Sequence, residues 1–272
     1  MKKFIYILTT LLLVCSCQEV IEIEIPSGEP RLVIDASFEY YLNEVPTNSE
    51  GGIRLSLSAP FFDDGVTAVN NATVFMTNLS DNSVVNYTPT GDNGFYEPDM
   101  PSFIPEFDTI YELTVVYNNE TYIATTELIS TVPINNVEQR EGTLFEGDET
   151  EIAIFFTDEA SREDYYLFDF DFNLYLPSED RFYQGEEFNF SYFYESDIVG
   201  QQLTIKILGI DKRYFNYTSI LIEQSDQGGG NPFQTPPVVI KGNIVNITNP
   251  DNYPLGYFNL SEANRFQITI TE

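Results

Sequence analysis

The sequence predicts an all-β protein in two parts. An N-terminal β-sandwich of immunoglobulin-like (Ig-like) or transthyretin-like type is expected over residues 31–130. A larger, aromatic-rich β-domain, sandwich or barrel, with one packed helix is expected over residues 131–272. Three observations predict this. Apolar and polar residues alternate in run after run, the period of a half-buried strand. Gly, Pro and Asn separate the runs at short intervals, as in sandwiches and barrels. One segment, near residues 211–225, carries helical spacing instead.

The first seventeen residues, MKKFIYILTTLLLVCSC, precede this pattern. Lys2 and Lys3 form a charged start, Phe4 to Val14 an apolar run, and Val14-Cys15-Ser16-Cys17 a lipoprotein cleavage box. The run falls well short of the roughly 20 apolar residues that span a bilayer, so residues 1–16 read as a signal peptide and not an anchor helix. Cleavage before Cys15 would put bulky Val14 at the cut. Cys17, preceded by Ser16 and Cys15, is therefore the expected lipid-attachment site, and its acyl chains would hold the mature chain to a membrane. Residues 17–30 are the lipidated tether, where Glu19, Glu22 and Glu24 alternate with apolar residues before Pro26, Gly28 and Pro30.

The first strands follow directly. In RLVIDASFEY, Leu32, Ile34, Ala36 and Phe38 fall on one face; in GGIRLSLSAP, Ile53, Leu55, Leu57 and Ala59 do the same. Further strands are expected at 72–78, 83–88 and 110–117. The last runs through Asn118-Asn119-Glu120 into TYIATTEL, a hairpin with turn-forming Asn. STVPINN, from Ser130, reads as a linker.

The second half is more aromatic. DYYLFDFDFNLYLP reads as one strand, with Tyr166, Phe168, Phe170, Phe172, Leu174 and Leu176 on one face and Asp169 and Asp171 on the other. EFNFSYFYES places Phe188, Phe190, Tyr192 and Tyr194 in register and Phe193 opposite. LTIKILGI, PVVIKGNIVNI and RFQITIT add three strands. Between them, Asp211 would cap a helix whose Tyr214, Tyr217, Thr218 and Leu221 recur at helical spacing. Gly228, Gly229 and Gly230, with Pro232, Pro236 and Pro237, form a loop that neither helix nor strand continues through.

Composition excludes several function classes. Acidic residues number 43 against 12 basic, a net charge of −31, so nucleic-acid phosphates would be repelled. The chain has no His, which removes Ser-His-Asp and Cys-His machinery and the usual zinc sites. Of two Cys, Cys15 leaves with the signal and Cys17 carries lipid, so no thiol chemistry remains. No cofactor is expected.

The remaining candidates are few. Asp169 and Asp171, two apart in one strand, would share a face. With Asp180, Glu186 or Glu187 they would resemble a hydrolytic carboxylate pair or a calcium site. Alternation on an exposed strand face explains them equally well. Phe193 would offer a stacking surface if exposed, and otherwise core. TDEASREDYY, residues 157–166, reads as a solvated loop or helix start, since it lacks calcium-loop spacing. Asp108-Thr109-Ile110 matches a short bacterial O-glycosylation pattern.

The pieces LVIDASF, VNNATVFM, YFNYTSILIEQ, GGGNPFQTPPVVIKGNIVN and PLGYFNLSEANRFQITI together resemble the Bacteroidota lipoproteins of domain-of-unknown-function family 4249. The resemblance covers nearly the whole mature chain. It implies an outer-membrane accessory lipoprotein, because members are often encoded beside TonB-dependent receptors, and the acidic Glu19, Glu22 and Glu24 soon after Cys17 resemble the surface-export signals of Bacteroidota lipoproteins, which favours the cell surface. The expected function is a non-catalytic accessory to such a receptor in nutrient uptake. A surface adhesin or carbohydrate-binding module is the alternative, and a carboxylate-dependent hydrolase the third. The resemblance carries no catalytic residues. Physical roles suffice for its motif residues: Gly242 and Gly256 for backbone shapes closed to other residues, Asn243 and Asn246 for bonding nearby backbone.

Overall fold

A computed structural model of the chain describes residues 29–60, 65–101, 103–142, 149–194, 197–225 and 239–271. The segments expected to be signal peptide and tether, with Cys17, lie outside the described residues but for the last two tether positions, as does the Gly- and Pro-rich loop at 228–237. The first half supplies β1 (Leu32–Tyr41), β2 (Asn48–Leu57), β3 (Thr67–Ala68), β4 (Thr73–Asn78), β5 (Val84–Thr90), β6 (Phe95–Pro98), β7 (Ile110–Tyr117) and β8 (Glu120–Ile129). The second supplies β9 (Ile134–Glu141), β10 (Thr150–Thr157), β11 (Tyr165–Asp169), β12 (Tyr175–Glu179), β13 (Glu187–Tyr194) and β14 (Gln202–Ile210). The helix α1 (Lys212–Ser225), β15 (Val245–Asn246) and β16 (Leu255–Thr269) complete it.

The protein is mostly β with one helix among the described residues, and eight strands close into a barrel in the order β16-β1-β2-β6-β5-β4-β7-β8. Where the sequence suggests a sandwich confined to residues 31–130, the pairing becomes a ring. The reason is β16, which returns from the C-terminus to fill the gap between β1 and β8. It runs parallel to both, pairing Ile34 with Gly256 and Leu128 with Leu260. The alternation of RLVIDASFEY turns Leu32, Ile34, Ala36, Phe38 and Tyr40 inward, where they meet Ile53, Leu55, Tyr96, Tyr111, Phe258 and Leu260. An eight-stranded barrel is just narrow enough for side chains to fill it, and here tyrosines and branched aliphatics do so.

Past Glu262, β16 leaves β1 and β8 and pairs antiparallel with β14, which pairs with β11 and β11 with β12. A separate sheet, β13-β10-β9, packs on one face of this extension. The second core lies between them. Phe156 sits at its centre with ring centroids 5.4–5.9 Å from Tyr166, Phe168, Tyr183 and Phe188. On the other face, Tyr165, Leu167, Leu208 and Ile210 pack under Tyr214 and Phe215 of the helix. The second half is thus a sandwich with a helix laid on its outer face.

Residues near the C-terminus serve the first core as well as the second. Ile244, Phe258 and Leu260 belong to the barrel core, and Val245–Asn246 pairs with β8. Asn243 bonds the Phe258 backbone in both directions, at 2.8 and 2.9 Å. Asn246 Oδ1 accepts the backbone N–H groups of Thr248 and Asn249. Its amide donates to Glu120, which also accepts from Tyr122 and Asn252 and so pins the loop to β8. Gly256 adopts a positive φ of 101°, and a Cβ there would strike the Ile34 carbonyl oxygen.

One expected strand is a hairpin. DYYLFDFDFNLYLP breaks after Asp169, because Asp171, Phe172 and Asn173 all take left-handed backbone conformations. Phe170 still reaches the second core, but Phe172 and Leu176 are exposed and do not continue the buried face. Strand β9 begins where a linker was expected, and β10 carries buried residues on both faces.

Candidate functional site

The outward face of β1 carries Val33, Asp35, Ser37 and Glu39, the residues between its barrel-facing ones. Such a row normally meets water. Here helix α1 stands over it and leaves a cavity of about 780 Å³ between barrel wall and helix. Leu255, Gly256 and Tyr257 of β16 continue the wall beside β1. Leu167, Leu208 and Tyr175 close it from the sandwich, and Val239 and Ile240 from the chain entering the last strands.

The helix is held by its own sequence. Asp211 Oδ1 accepts the Tyr214 backbone N–H at 2.7 Å, the N-cap expected of it, and Asp211 O accepts from Phe215 at 2.9 Å. Thr218, the buried residue of the helix, returns its hydroxyl to the Tyr214 carbonyl at 2.9 Å. Tyr214, Tyr217, Thr218, Leu221 and Ile222 face the cavity. Leu221 is 46% exposed at its mouth. Tyr214, Tyr217 and Tyr257 form a ring cluster with centroids 4.7–6.1 Å apart.

The two carboxylates of the cavity differ. Glu39 is occupied: its Oε2 accepts from Lys206 Nζ at 2.9 Å and from the Tyr41 hydroxyl at 2.6 Å. Asp35 has no hydrogen bond and no ion pair among the described residues. Partial enclosure raises its pKa above the ordinary carboxylate value, opposed by the charge of Arg54 on β2. Burial and, secondarily, the Asp35 charge push the Tyr217 phenol up as well. No Lys or Arg lines this cavity among the described residues. A smaller adjoining cavity of about 340 Å³ shares Tyr217, Tyr257, Val239 and Ile240 and adds Arg213 and Lys241. The arrangement can bind and orient a small molecule. Among the described residues it presents no paired acid and base.

The residues singled out from the sequence do not converge. Asp169 and Asp171 fail to share a strand face, because the chain turns between them. Asp169 Oδ1 accepts the Asp171 N–H at 2.9 Å, and its Oδ2 lies 3.7 Å from Lys206 Nζ. Burial raises the Asp169 pKa, against the backbone hydrogen bond and the Lys206 charge. Asp171 bonds the backbone N–H groups of Phe172 at 3.0 Å and Thr204 at 3.3 Å. Both shape the hairpin. Asp180 is buried and caps the Asp164 N–H at 2.7 Å, while Glu186 and Glu187 are exposed. Phe193 is half-buried on the face of β13 opposite the second core and is not part of the cavity. Thr109 is buried, with its hydroxyl on the Phe107 carbonyl at 3.3 Å, and so is closed to modification.

The acidic stretch at 157–166 is not a solvated loop throughout. Asp158 and Asp164 are buried around the Tyr166 hydroxyl, at 2.6 and 3.0 Å, and Arg162 Nε donates to Asp164 at 2.6 Å. Sequence reasoning missed this cluster and missed the cavity. The signal for the cavity was present: a polar row on β1 and an aromatic helix face, each with no partner in the local pattern.

No curated protein matches the chain. The family model described as "Domain of unknown function (DUF4249)" matches residues 18–267, nearly the whole sequence, and the chain belongs to that family.

Proposed function

We propose that this protein is a non-catalytic, lipid-anchored outer-membrane protein that serves as an accessory to a TonB-dependent receptor in nutrient uptake. The observation that carries the reading is the 780 Å³ cavity, open at its mouth, in which, among the described residues, tyrosines and one carboxylate without an ion pair face the space and no acid–base pair does. Its volume lies in the range of small-molecule sites, roughly 300–1,000 Å³. The lipoprotein cleavage box supports the anchor. Roughly 13 residues separate Cys17 from the first strand, a reach of about 45 Å when extended. Lipid on Cys17 would confine the cavity to the membrane plane and raise its effective concentration near a receptor there. Replacing Cys17 by Ala in cells is the test. The reading expects loss from the membrane fraction and slower growth on the transported nutrient; unchanged fractionation and growth would sink it.

The alternative, a free-standing adhesin or carbohydrate-binding module, draws on the same tyrosine rings, which suit flat ligands. It predicts glycan binding with no receptor present. A flat calorimetric titration against a glycan panel would count against it.

A further inference from the structure

We propose that the cavity between barrel and helix selects ligands that carry a cationic group, an ammonium or a guanidinium, on an apolar or aromatic body. The inference rests on reading that cavity as the ligand site and adds the class of its occupant. Asp35 supplies the first argument. Its carboxylate is exposed on the cavity wall with no hydrogen bond or ion pair among the described residues, and Arg54, opposite it on β2, acts on it only through its charge, so the carboxylate stands open to a cation that enters the cavity. Every other cavity group with charge is already used: Glu39 is taken by Lys206 and Tyr41.

The rings supply the second argument. Tyr214, Tyr217 and Tyr257 cluster beside Asp35, whose charge reaches both Tyr214 and Tyr217. Tyrosine faces attract cations through the ring quadrupole, most strongly where water is partly excluded. Elsewhere in this chain cations already take such seats: Arg31 and Lys241 each lie 3.8 Å from the centroid of Tyr253. The third argument is exclusion. Among the described residues no cation lines the cavity to receive an anion, and Arg213 and Lys241 line the smaller adjoining one. The net charge of −31 further concentrates cations at the surface. Val33, Leu221, Ile222 and Leu255 then provide apolar wall for the rest of the ligand.

Tyramine and its uncharged counterpart tyrosol, identical but for the amino and hydroxyl ends, test this. Both are titrated by calorimetry into the lipidated chain in neutral-lipid nanodiscs, with empty nanodiscs as blank. Tyramine is expected to bind about tenfold or more tightly than tyrosol, the usual scale for a charge-assisted hydrogen bond. Asp35→Asn, at an exposed side chain, should bring the two to parity. Leu221→Trp, which fills the mouth, should abolish both. Equal binding of the two probes to the unaltered chain overturns the inference and leaves the cavity as a ligand site. Tyramine binding that survives Leu221→Trp places the cation elsewhere and also overturns it. Failure of both probes to bind overturns the cavity reading itself.

Discussion

Lys206 Nζ lies 2.9 Å from Glu50 Oε2, across 156 residues of sequence, and this contact ties the sandwich to the barrel. Lys206 belongs to β14 and Glu50 to β2. Glu39 of β1 shares the ammonium at 2.9 Å, and Arg265 of β16 bonds both Glu50 and Glu44. Two cations thus hold carboxylates from three segments around Tyr41, whose ring lies under Arg265 at 4.2 Å.

Lys206→Met is expected to destabilise the protein by about 2 kcal/mol. Removing one partner of a fully buried pair costs roughly 3–5 kcal/mol. Glu50 is 38% exposed, so water recovers part of the loss. Urea unfolding monitored by tyrosine fluorescence checks this; an unchanged midpoint would show that the network is ornamental.

The same network sets a pH dependence. Burial would raise the Glu50 pKa, but the hydrogen bond and charge of Lys206, with Tyr41 and Arg265, outweigh it and hold it below the ordinary 4.5. A carboxyl lowered on folding stabilises above its unfolded value and loses that contribution as pH falls through the folded one. Lys206 is raised above its ordinary 10.5 because Glu39 and Glu50 outweigh its burial, so its contribution is complete below 10.5 and lost at more alkaline pH. The difference in unfolding midpoint between wild type and Lys206→Met should therefore be flat at neutral pH and shrink below about 4.5. A difference that grows toward acid would contradict the account.

Gly256→Ala tests the barrel closure. The substituted residue would have to hold a φ of 101° and push its Cβ into the Ile34 carbonyl oxygen of the neighbouring strand. Strain of this kind costs about 1–3 kcal/mol before any clash is counted. Amide hydrogen exchange should show faster exchange in β1 and β8 together, since β16 joins them. Protection unchanged in β8 would mean that closure contributes little.

Tyr166→Phe removes the hydroxyl that stands between buried Asp158 and Asp164. Among the described residues the Asp158 carboxylate would keep only the Gly185 N–H at 2.7 Å. Leaving a buried carboxylate short of a donor is expected to cost about 2 kcal/mol. Thermal unfolding reads this directly, and a variant as stable as wild type would show that water replaces the phenol without loss.

Much of the fold was legible because its signals are local. β1, β2, β4, β5, β7 and β8 announce themselves by period two, and Asp211 with its spaced tyrosines announces the helix. β10 was not legible: Ile152, Ala153 and Ile154 are all fully buried, so the strand has no alternation to read. The hairpin inside DYYLFDFDFNLYLP was hidden because aromatic spacing continues through a turn made by side-chain caps. Barrel closure was hidden for another reason. Pairing of Leu260 with Leu128 joins residues far apart in sequence, and nothing in either strand names its partner. The cavity inherits that difficulty, since the polar row of β1 becomes a cavity wall only when a helix from the other half stands over it.

The most direct test of the accessory role is recovery of a tagged, lipidated copy from native outer membranes in mild detergent, followed by identification of what accompanies it. The account predicts a TonB-dependent barrel in stoichiometric amount, lost when Cys17 is replaced by Ala. Recovery of the tagged protein alone, with the receptor left behind, would contradict it.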